Sequence, residues 1–296
     1  MPVYPFMQVD AFTDRPLSGN PCAVFFEADD MDEARMLSLA REMNLSESAF
    51  VRRSSVADFG ARYFTPAEEI PLAGHPTIAT VYALAVTDRL LVSGPITTIQ
   101  LELKAGVIPV EIHTACDVIQ QIVMSQVKPR FLATYEAPRI APVFGLQADD
   151  VLPGAPIQTV STGTPQLMLA LRSLEALRRA RLDVEAYDRL RAEADFFSPH
   201  LFCLEGATPR GQTFARHFGT PPDLMEDPFT GSATGGMGAY LWRYSLITSP
   251  VFVAEQGHWM NRPGQASVEV IGPPEDIQTV KVGGGAVIVL EGQLTI

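Results

Sequence analysis

Apolar and polar residues alternate along several segments of the first half of the chain, a pattern typical of half-buried strands. These predicted strands cover residues 3–12, 59–64, 96–103 and 107–113, and Lys104-Ala105-Gly106 joins the last two as a hairpin.

Two helices are predicted between these strands. Asp30 and Glu33 resemble a capping box for a first helix through Met43, with an apolar stripe of Met36, Leu37, Ala40 and Met43. A second helix runs from Gly74 to Val86 without a charged residue. A helix that is apolar on every side must be buried on every side.

The second half of the chain contains a predicted linker and an arginine-rich helical region. The linker is the proline-rich passage 128–142, and the arginines of residues 172–195 are interpreted as a solvated helical face.

One motif occurs twice, 157 residues apart: Glu69-x-Pro71-x-x-Gly74-x-x-Thr77 and Glu226-x-Pro228-x-x-Gly231-x-x-Thr234. Two further blocks repeat in the same order: Arg62-x-Phe64 with Arg216-x-Phe218, and Gly19-Asn-Pro21 with Gly163-Thr-Pro165. This order predicts a duplicated half-molecule. Each copy leads into a charge-free helix, and the second is rich in Gly, Ala, Ser and Thr. Such thin helices fit inside closed or nearly closed barrels of strands.

Composition excludes several classes of partner. The formal charge is −12, from 22 basic and 34 acidic residues, so nucleic acids and anionic membrane surfaces are poor partners. The three cysteines, Cys22, Cys116 and Cys203, lack CxxC spacing and are interpreted as core residues. The amino terminus lacks a signal-peptide pattern and no 18-residue apolar run occurs, so we expect a cytoplasmic protein.

The repeats place small residues at two helix starts, Gly74 and Gly231, where free N–H groups and the helix dipole favour an anion. If the halves are related by a pseudo-twofold, both starts face one cleft, and a small carboxylate fits there. Two ordinary buried helix starts would produce the same pattern. The nearby polar residues are His75, Glu226, Asp227 and Ser232.

Glu47 precedes an apolar strand, where a low-dielectric cleft would raise its pKa towards that of a useful base, although a solvent-exposed loop carboxylate fits equally well. The five histidines show no metal-ligand spacing, and the Gly236 and Gly283 regions lack a dinucleotide fingerprint. We therefore predict chemistry without a metal or a cofactor.

The chain resembles the PhzF-like isomerases of phenazine biosynthesis, which share the diaminopimelate-epimerase fold. The resemblance rests on these blocks: Val9-Asp-Ala-Phe-Thr, Gly19-Asn-Pro-Cys-Ala-Val24, Asn44-Leu-Ser-Glu-Ser-Ala-Phe50, Phe64-Thr-Pro66, Pro71-Leu-Ala-Gly-His-Pro-Thr77, Glu226-Asp-Pro-Phe-Thr-Gly-Ser-Ala-Thr234, Glu255-Gln-Gly257, Asn261-Arg-Pro263 and Val282-Gly-Gly-Gly-Ala-Val287. His217 and Asn261 differ from the residues more common there.

The resemblance implies an α+β fold of two pseudo-symmetric barrel-like halves, each a mixed or antiparallel sheet around a central helix. The halves would be residues 1–127 plus 280–296 and residues 128–279, and members are commonly homodimers. Glu47 would be the acid–base residue, with His75 and Asp227 relaying its proton. The substrate-binding residues would be Gly74, Gly231, Ser232 and Asn20.

Related epimerases carry two opposed cysteines where this chain has Ala73 and Thr230. Without these thiols a cysteine-type two-base mechanism cannot operate. The predicted activity is a proton shift between carbons of a small cyclic or conjugated carboxylate. Two alternatives stay open: a racemase or epimerase with non-cysteine bases, and a binding protein without turnover.

Overall fold

A mixed sheet of eighteen strands is the main feature of the computed structural model, which describes residues 2–296. The strands before residue 128 are β1 (Val3–Ala11), β2 (Asn20–Phe25), β3 (Glu47–Arg52), β4 (Phe59–Phe64), β5 (Glu69–Ile70), β6 (Ile96–Leu103), β7 (Gly106–Ala115) and β8 (Val118–Ser125). The later strands are β9 (Arg130–Tyr135), β10 (Ile157–Ser161), β11 (Pro165–Ala170), β12 (Ser198–Cys203), β13 (Thr213–Phe218), β14 (Glu226–Asp227), β15 (Val251–Gln256), β16 (Gly264–Ile271), β17 (Thr279–Gly284) and β18 (Ala286–Thr295). The helices are α1 (Glu33–Met43), α2 (Gly74–Val86), α3 (Ala137–Ile140), α4 (Leu174–Arg179), α5 (Val184–Glu193) and α6 (Gly231–Arg243).

Hydrogen bonds connect the strands in the order β18, β1, β2, β3, β4, β6, β7, β8, β17, β16, β15, β13, β12, β11, β10 and β9. The two-residue strands β5 and β14 attach to β4 and β13. We call β18 with β1–β8 the first strand set, and β9–β17 the second strand set. The pairings β2/β3, β4/β6, β11/β12 and β13/β15 are parallel and the others are antiparallel. The pairings from β1 to β8 therefore recur in the same order from β10 to β17.

The repeated motif makes the same ion pair in each strand set. Arg62 donates two hydrogen bonds to the Glu69 carboxylate, at 2.7 and 2.8 Å. Arg216 does the same to Glu226, at 2.8 and 2.7 Å. Each guanidinium also lies over the phenylalanine ring two residues later, at 5.2 and 4.6 Å from the ring centre. Such two-point pairs hold their partners in one geometry, so they fix the segments that lead into α2 and α6.

Helix α2 has the bounds that the sequence predicts, and all but two of its thirteen residues are buried. It packs against β1, β2, β3, β8 and β18, whereas α6 packs against β10, β11, β16 and β17. Each strand set thus surrounds the apolar or small-residue helix that follows its copy of the motif. Of the helices in residues 2–296, none combines the length and the apolar character that crossing a bilayer requires.

Helix α1 covers the other face of the first strand set. Met36, Leu39 and Ala40 are buried against Phe25 and Phe50, while the predicted stripe residues Leu37 and Met43 are only half-buried. The prediction of Asp30 as the cap was wrong, because Asp30 ends a separate 3-10 turn, Ala28–Asp30. Asp32 caps the helix instead, since its carboxylate accepts from the backbone N–H of Arg35 at 2.8 Å.

The predicted linker at residues 128–142 was also wrong, because this passage contains β9 and α3. β9 pairs with β10, and Pro138 lies in the first turn of α3, where a missing N–H costs no helical hydrogen bond.

The cysteine prediction was correct except at one position. Cys22 and Cys203 are buried, but Cys116 is exposed at a turn between β7 and β8 with φ of 49°. The arginine prediction was correct in part, because Arg172 and Arg181 lie outside α4 and α5. The arginines of residues 172–195 are exposed except Arg191, which is half-buried and lines a cleft.

Candidate active site

A cleft of about 470 Å³ lies between residues of the two strand sets. The first set contributes the start of β3 and the segment from Thr65 to Ala73. The second set contributes the starts of β11 and β12, the end of β13, and the segment that leads into α6. A concave site of this size accommodates a small organic molecule.

Glu47 is the first residue of β3 and lines this cleft. Its side chain is 18% exposed, and within residues 2–296 its Oε2 atom is buried without a hydrogen-bond partner. Burial raises the pKa of Glu47 well above its ordinary value, and the negative charges of Asp227 and Asp223 raise this pKa further. Glu47 is therefore a carboxyl group that keeps its proton to higher pH than usual.

His75, the second residue of α2, lies directly behind Glu47. Its Nε2 atom is 3.1 Å from Glu47 Oε2, although the alignment does not meet hydrogen-bond geometry. Burial lowers the pKa of His75 to about 4, against the opposing influence of Asp227. The imidazole is therefore neutral near pH 7.

Asn20 connects the histidine to the second strand set. Its Nδ2 atom lies 2.8 Å from Asp227 Oδ1, 2.8 Å from the Phe229 carbonyl and 3.0 Å from His75 Nδ1. The two oxygens fix the amide orientation, since both need a donor. A proton on Nδ1 of His75 would therefore point at another donor, the Asn20 amide nitrogen. The neutral imidazole is thus assigned its proton on Nε2, towards Glu47.

Asp227 is held by residues from both strand sets. Its carboxylate accepts hydrogen bonds from Ser46 Oγ at 2.6 Å, from Asn20 and from Thr230 Oγ1. Its backbone carbonyl accepts from Gln256 Nε2 at 2.7 Å. These donors hold the carboxylate in position beside Glu47 and His75.

The starts of α2 and α6 meet beside these side chains. A Cβ atom on Gly74 would lie 2.9 Å from Gly231 Cα, so only glycine permits this approach of the two backbones. The N-cap residues Ala73 and Thr230 make no side-chain cap, and both line the cleft with Ser232. The first N–H groups of two helices are thus available to an anion.

A divalent metal is another possible occupant of this site, because its residue types bind such metals. The possible ligand atoms of Glu47, His75 and Asp227 lie within 4.8 Å of one another. However, both carboxylate oxygens of Asp227 already accept hydrogen bonds, and the Nδ1 atom of His75 faces Asn20. A metal bound to Asp227 would have to compete with these hydrogen bonds, and metal-free chemistry stays a prediction.

The structure therefore brings all seven predicted site residues together. Glu47, Asp227 and Ser232 line the cleft, Asn20 and His75 are buried behind it, and Gly74 and Gly231 form the contact between the helices. The solvent-exposed interpretation of Glu47 was wrong. Sequence reasoning missed Ser46 and Gln256, which hold Asp227, and no spacing pattern indicates these partners because they lie 181 and 29 residues away from it.

The chain is similar to several known proteins. The chain is 34% identical over 266 residues to an uncharacterised isomerase of Bacillus subtilis, YfhB, with 89% of each chain covered. It is 32% identical to the trans-2,3-dihydro-3-hydroxyanthranilate isomerase of Pseudomonas fluorescens, covering 98% of this chain and 99% of that one.

A solved structure of a PhzF family phenazine biosynthesis protein from Bacillus anthracis superposes with a TM-score of 0.87 at 31% identity, covering 100% of both chains. The family described as phenazine biosynthesis-like protein, PhzC-PhzF, matches residues 9–292. The relatives named above are isomerases, and the fold shared with the solved structure is α+β with a large mixed sheet. The chain is thus an isomerase that belongs to the PhzC-PhzF family.

Proposed function

We propose that Glu47 moves a proton between two carbon atoms of a small cyclic or conjugated carboxylate, without a cofactor. The observation that carries this proposal is a carboxyl group of raised pKa that lines a cleft beside a neutral imidazole. A carboxylate whose conjugate acid holds its proton more tightly is a stronger base, and its acid form returns the proton near neutral pH.

The proposed step conserves every atom. The ionised Glu47 takes a proton from one carbon, and the electron pair of that C–H bond moves into the conjugated system. The protonated Glu47, whose proton exchanges with solvent, then donates a proton to another carbon. No oxidant or reductant is needed, which agrees with an isomerase.

The surrounding residues would have separate roles. His75, with its proton on Nε2 and 3.1 Å from Glu47, would stabilise the carboxylate form or relay its proton. Asp227 would hold that imidazole in place through Asn20. The substrate carboxylate would bind the free N–H groups at Gly74 and Gly231 and the hydroxyl of Ser232.

The relatives named trans-2,3-dihydro-3-hydroxyanthranilate isomerase suggest a first candidate substrate, a cyclic carboxylate. A racemase with two bases is less well supported. Ala73 supplies no base, and the Thr230 hydroxyl donates to Asp227.

We also propose that the pairing order and the repeated ion pairs reflect two pseudo-symmetric barrel-like halves. These would be residues 1–127 plus 280–296 and residues 128–279. A homodimer is proposed on the family resemblance alone.

The test is turnover of trans-2,3-dihydro-3-hydroxyanthranilate in D₂O, followed by absorbance and by deuterium content in mass spectrometry. We expect Glu47→Gln to lower turnover and deuterium incorporation by about 10²- to 10⁴-fold, the range for loss of a general acid–base group. Glu68→Gln, an exposed glutamate lining the same cleft, should retain both.

Near-normal deuterium incorporation by Glu47→Gln would contradict the assignment of Glu47 as the base. Wild-type protein that binds this compound or other carboxylates without exchange would indicate a binding protein.

A further inference from the structure

A line of four buried polar side chains lies in one wall of the cleft. The second strand set contributes this wall. Strand register places Gln166 opposite Ser198 on β11 and β12, and His200 opposite His217 on β12 and β13. Ser198 and His200 are two residues apart on one strand and share a face. All four side chains are buried, and all except His200 line the cleft.

Short contacts link the four side chains in one line. The Nδ1 atoms of His200 and His217 are 3.3 Å apart, and His217 Nε2 is 2.9 Å from Ser198 Oγ. Ser198 Oγ donates to Gln166 Oε1 at 2.7 Å. Burial lowers the pKa of His217 to about 4, so this histidine is neutral and has a single ring proton near pH 7.

The hydrogen bonds along this line can run in two directions, and one direction leaves no buried N–H group without an acceptor. Because Ser198 gives its only proton to Gln166, it must accept from Nε2 of His217. Nδ1 of His217 then accepts from His200, whose buried Nε2 atom is left as a bare acceptor. The reverse direction would leave an N–H at that atom, and buried N–H groups without an acceptor are rarer than unfilled lone pairs.

This direction leaves the amide nitrogen of Gln166 as the free end of the line. Its Oε1 accepts from Ser198, and its Nε2 makes no hydrogen bond within the described part of the chain, residues 2–296. Gln166 itself is only 2% exposed, yet it lines the cleft. A buried amide donor fixed in orientation and open to a cleft is suited to bind an oxygen atom of a ligand.

The first strand set has no equivalent line. In the repeated Arg-x-Phe block, His217 corresponds to Tyr63, and the Tyr63 hydroxyl pairs with Thr77 of α2 at 3.1 Å in the core. Tyr63 does not line the cleft, whereas His217 does. The two copies of the motif therefore differ where the second strand set faces the cleft.

We propose that Gln166, oriented by His217 through Ser198, forms a second polar subsite for a hydroxyl or carbonyl oxygen of the substrate. This inference rests on the proposed function, and it narrows the substrate class to small carboxylates with a second oxygen group. Gln166 would contact the substrate, and His217 is a positioning residue.

The test uses two aromatic probes that differ by one hydroxyl, anthranilate and 3-hydroxyanthranilate, titrated calorimetrically into the full chain. We expect wild-type protein to bind the hydroxylated probe about tenfold more tightly, the value of one good hydrogen bond. Gln166→Leu and His217→Phe should bring the ratio close to one without changing the Kd for anthranilate. His217→Gln, which retains an N–H donor, should restore part of the preference.

Thr164→Val is the matched control, because Thr164 lines the same wall and its side chain makes no hydrogen bond within residues 2–296. This variant should keep the wild-type ratio. In turnover, Gln166→Leu should raise KM more than it lowers kcat, since it removes binding rather than proton transfer.

Equal binding of the two probes by wild-type protein, or an unchanged ratio in Gln166→Leu, would overturn the subsite while leaving Glu47 as the base. A wild-type protein that binds neither probe would contradict the subsite together with the carboxylate site. If His217→Phe and His217→Gln both lose deuterium exchange, the positioning role is wrong and His217 transfers protons itself.

Discussion

At the scale of single residues, the site keeps two titratable groups neutral in close contact. Burial raises the pKa of Glu47 and lowers that of His75, so both neutral forms are favoured. The carboxylate of Asp227 beside them is held by three side-chain donors. A proton can then leave or return to Glu47 while the charge beside it stays fixed.

The raised pKa of Glu47 makes a prediction about stability and pH. Above its ordinary value of 4.5 the unfolded chain has lost this proton, while the folded protein still holds it. Folding stability from this group is therefore complete below that value and falls as pH rises towards the folded pKa. Glu47→Gln lacks this loss, so its free energy of unfolding relative to wild type should increase as pH rises above 4.5. Each whole unit of pKa rise is worth about 1.4 kcal/mol.

Urea unfolding of both proteins at several pH values checks this expectation. Glu68→Gln is the control, since an exposed carboxyl should show no such trend. A Glu47→Gln variant that loses stability relative to wild type as pH rises would show that the carboxylate, and not the acid, is the favoured form.

Sequence reasoning identified the residues with distinctive chemistry but not their partners. Glu47 and His75 lie in blocks that resemble a family, and Asp227 lies in the repeated motif. Ser46 and Gln256 are ordinary polar residues, and they matter only because folding brings them against Asp227. The Gln166 amide likewise becomes distinctive only through the register of β11, β12 and β13.

At the scale of elements, the contact between the starts of α2 and α6 depends on two glycines. Gly74→Ala would place a methyl group against the backbone of Gly231 and Ser232, at 2.9 to 3.1 Å. Backbone atoms cannot move aside as a side chain does, so we expect a loss of about 1–3 kcal/mol in the free energy of unfolding. Carboxylate binding should weaken as well, because the two sets of N–H groups would be pushed apart.

Gly236→Ala provides a matched glycine in α6. Its new methyl group would meet the terminal carbon of Met168, the far end of a flexible side chain. Alanine also favours a helix by up to about 1 kcal/mol over glycine, so this variant should be neutral or more stable. Thermal unfolding compares the two, and equal melting temperatures would contradict the close backbone contact.

Local signals predicted elements well where the pattern was unambiguous. The charge-free run from Gly74 to Val86 gave both ends of α2, and the strand at 59–64 was also placed correctly. The linker prediction for residues 128–142 failed because it rested on their prolines. Pro138 and Pro142 instead lie in the first turns of short helices. Proline is compatible with both environments, and only the pairing of β9 with β10 distinguishes them.

At the scale of the whole molecule, a buried ion pair ties β1 to the loop before β16. Arg262 contacts Asp10, which is fully buried, at 2.7 Å and donates to the backbone carbonyls of Ser18 and Gly19 at 2.9 Å. Burial raises the pKa of Asp10, and Arg262 partly opposes this rise. The pair therefore holds the segment before Asn20 against the second strand set.

Arg262→Met should cost about 3 kcal/mol in the free energy of unfolding at pH 7, because it leaves the Asp10 carboxylate buried without its cation. Adding Asp10→Asn should recover part of this loss, since the uncompensated charge is removed. Urea unfolding of the single and double variants measures both effects. A double variant less stable than the sum of the single changes would contradict this account.

The repeat indicated two copies of one unit, and the pairing order of the strands repeats accordingly. What it could not provide is how the copies are joined. That depends on two pairings. β17, the last strand of the second set, pairs with β8. β18, which follows it in sequence, pairs with β1 from the opposite end of the chain. Partners this distant leave no periodic signal.

Strand β17 has one edge on β8 and the other on β16. No gap in backbone hydrogen bonding therefore separates the first strand set from the second. Melting one set would leave the N–H and C=O groups of the other without partners along this strand. We expect the chain to unfold as one cooperative unit, so that the cleft between the sets is present only in a fully folded molecule.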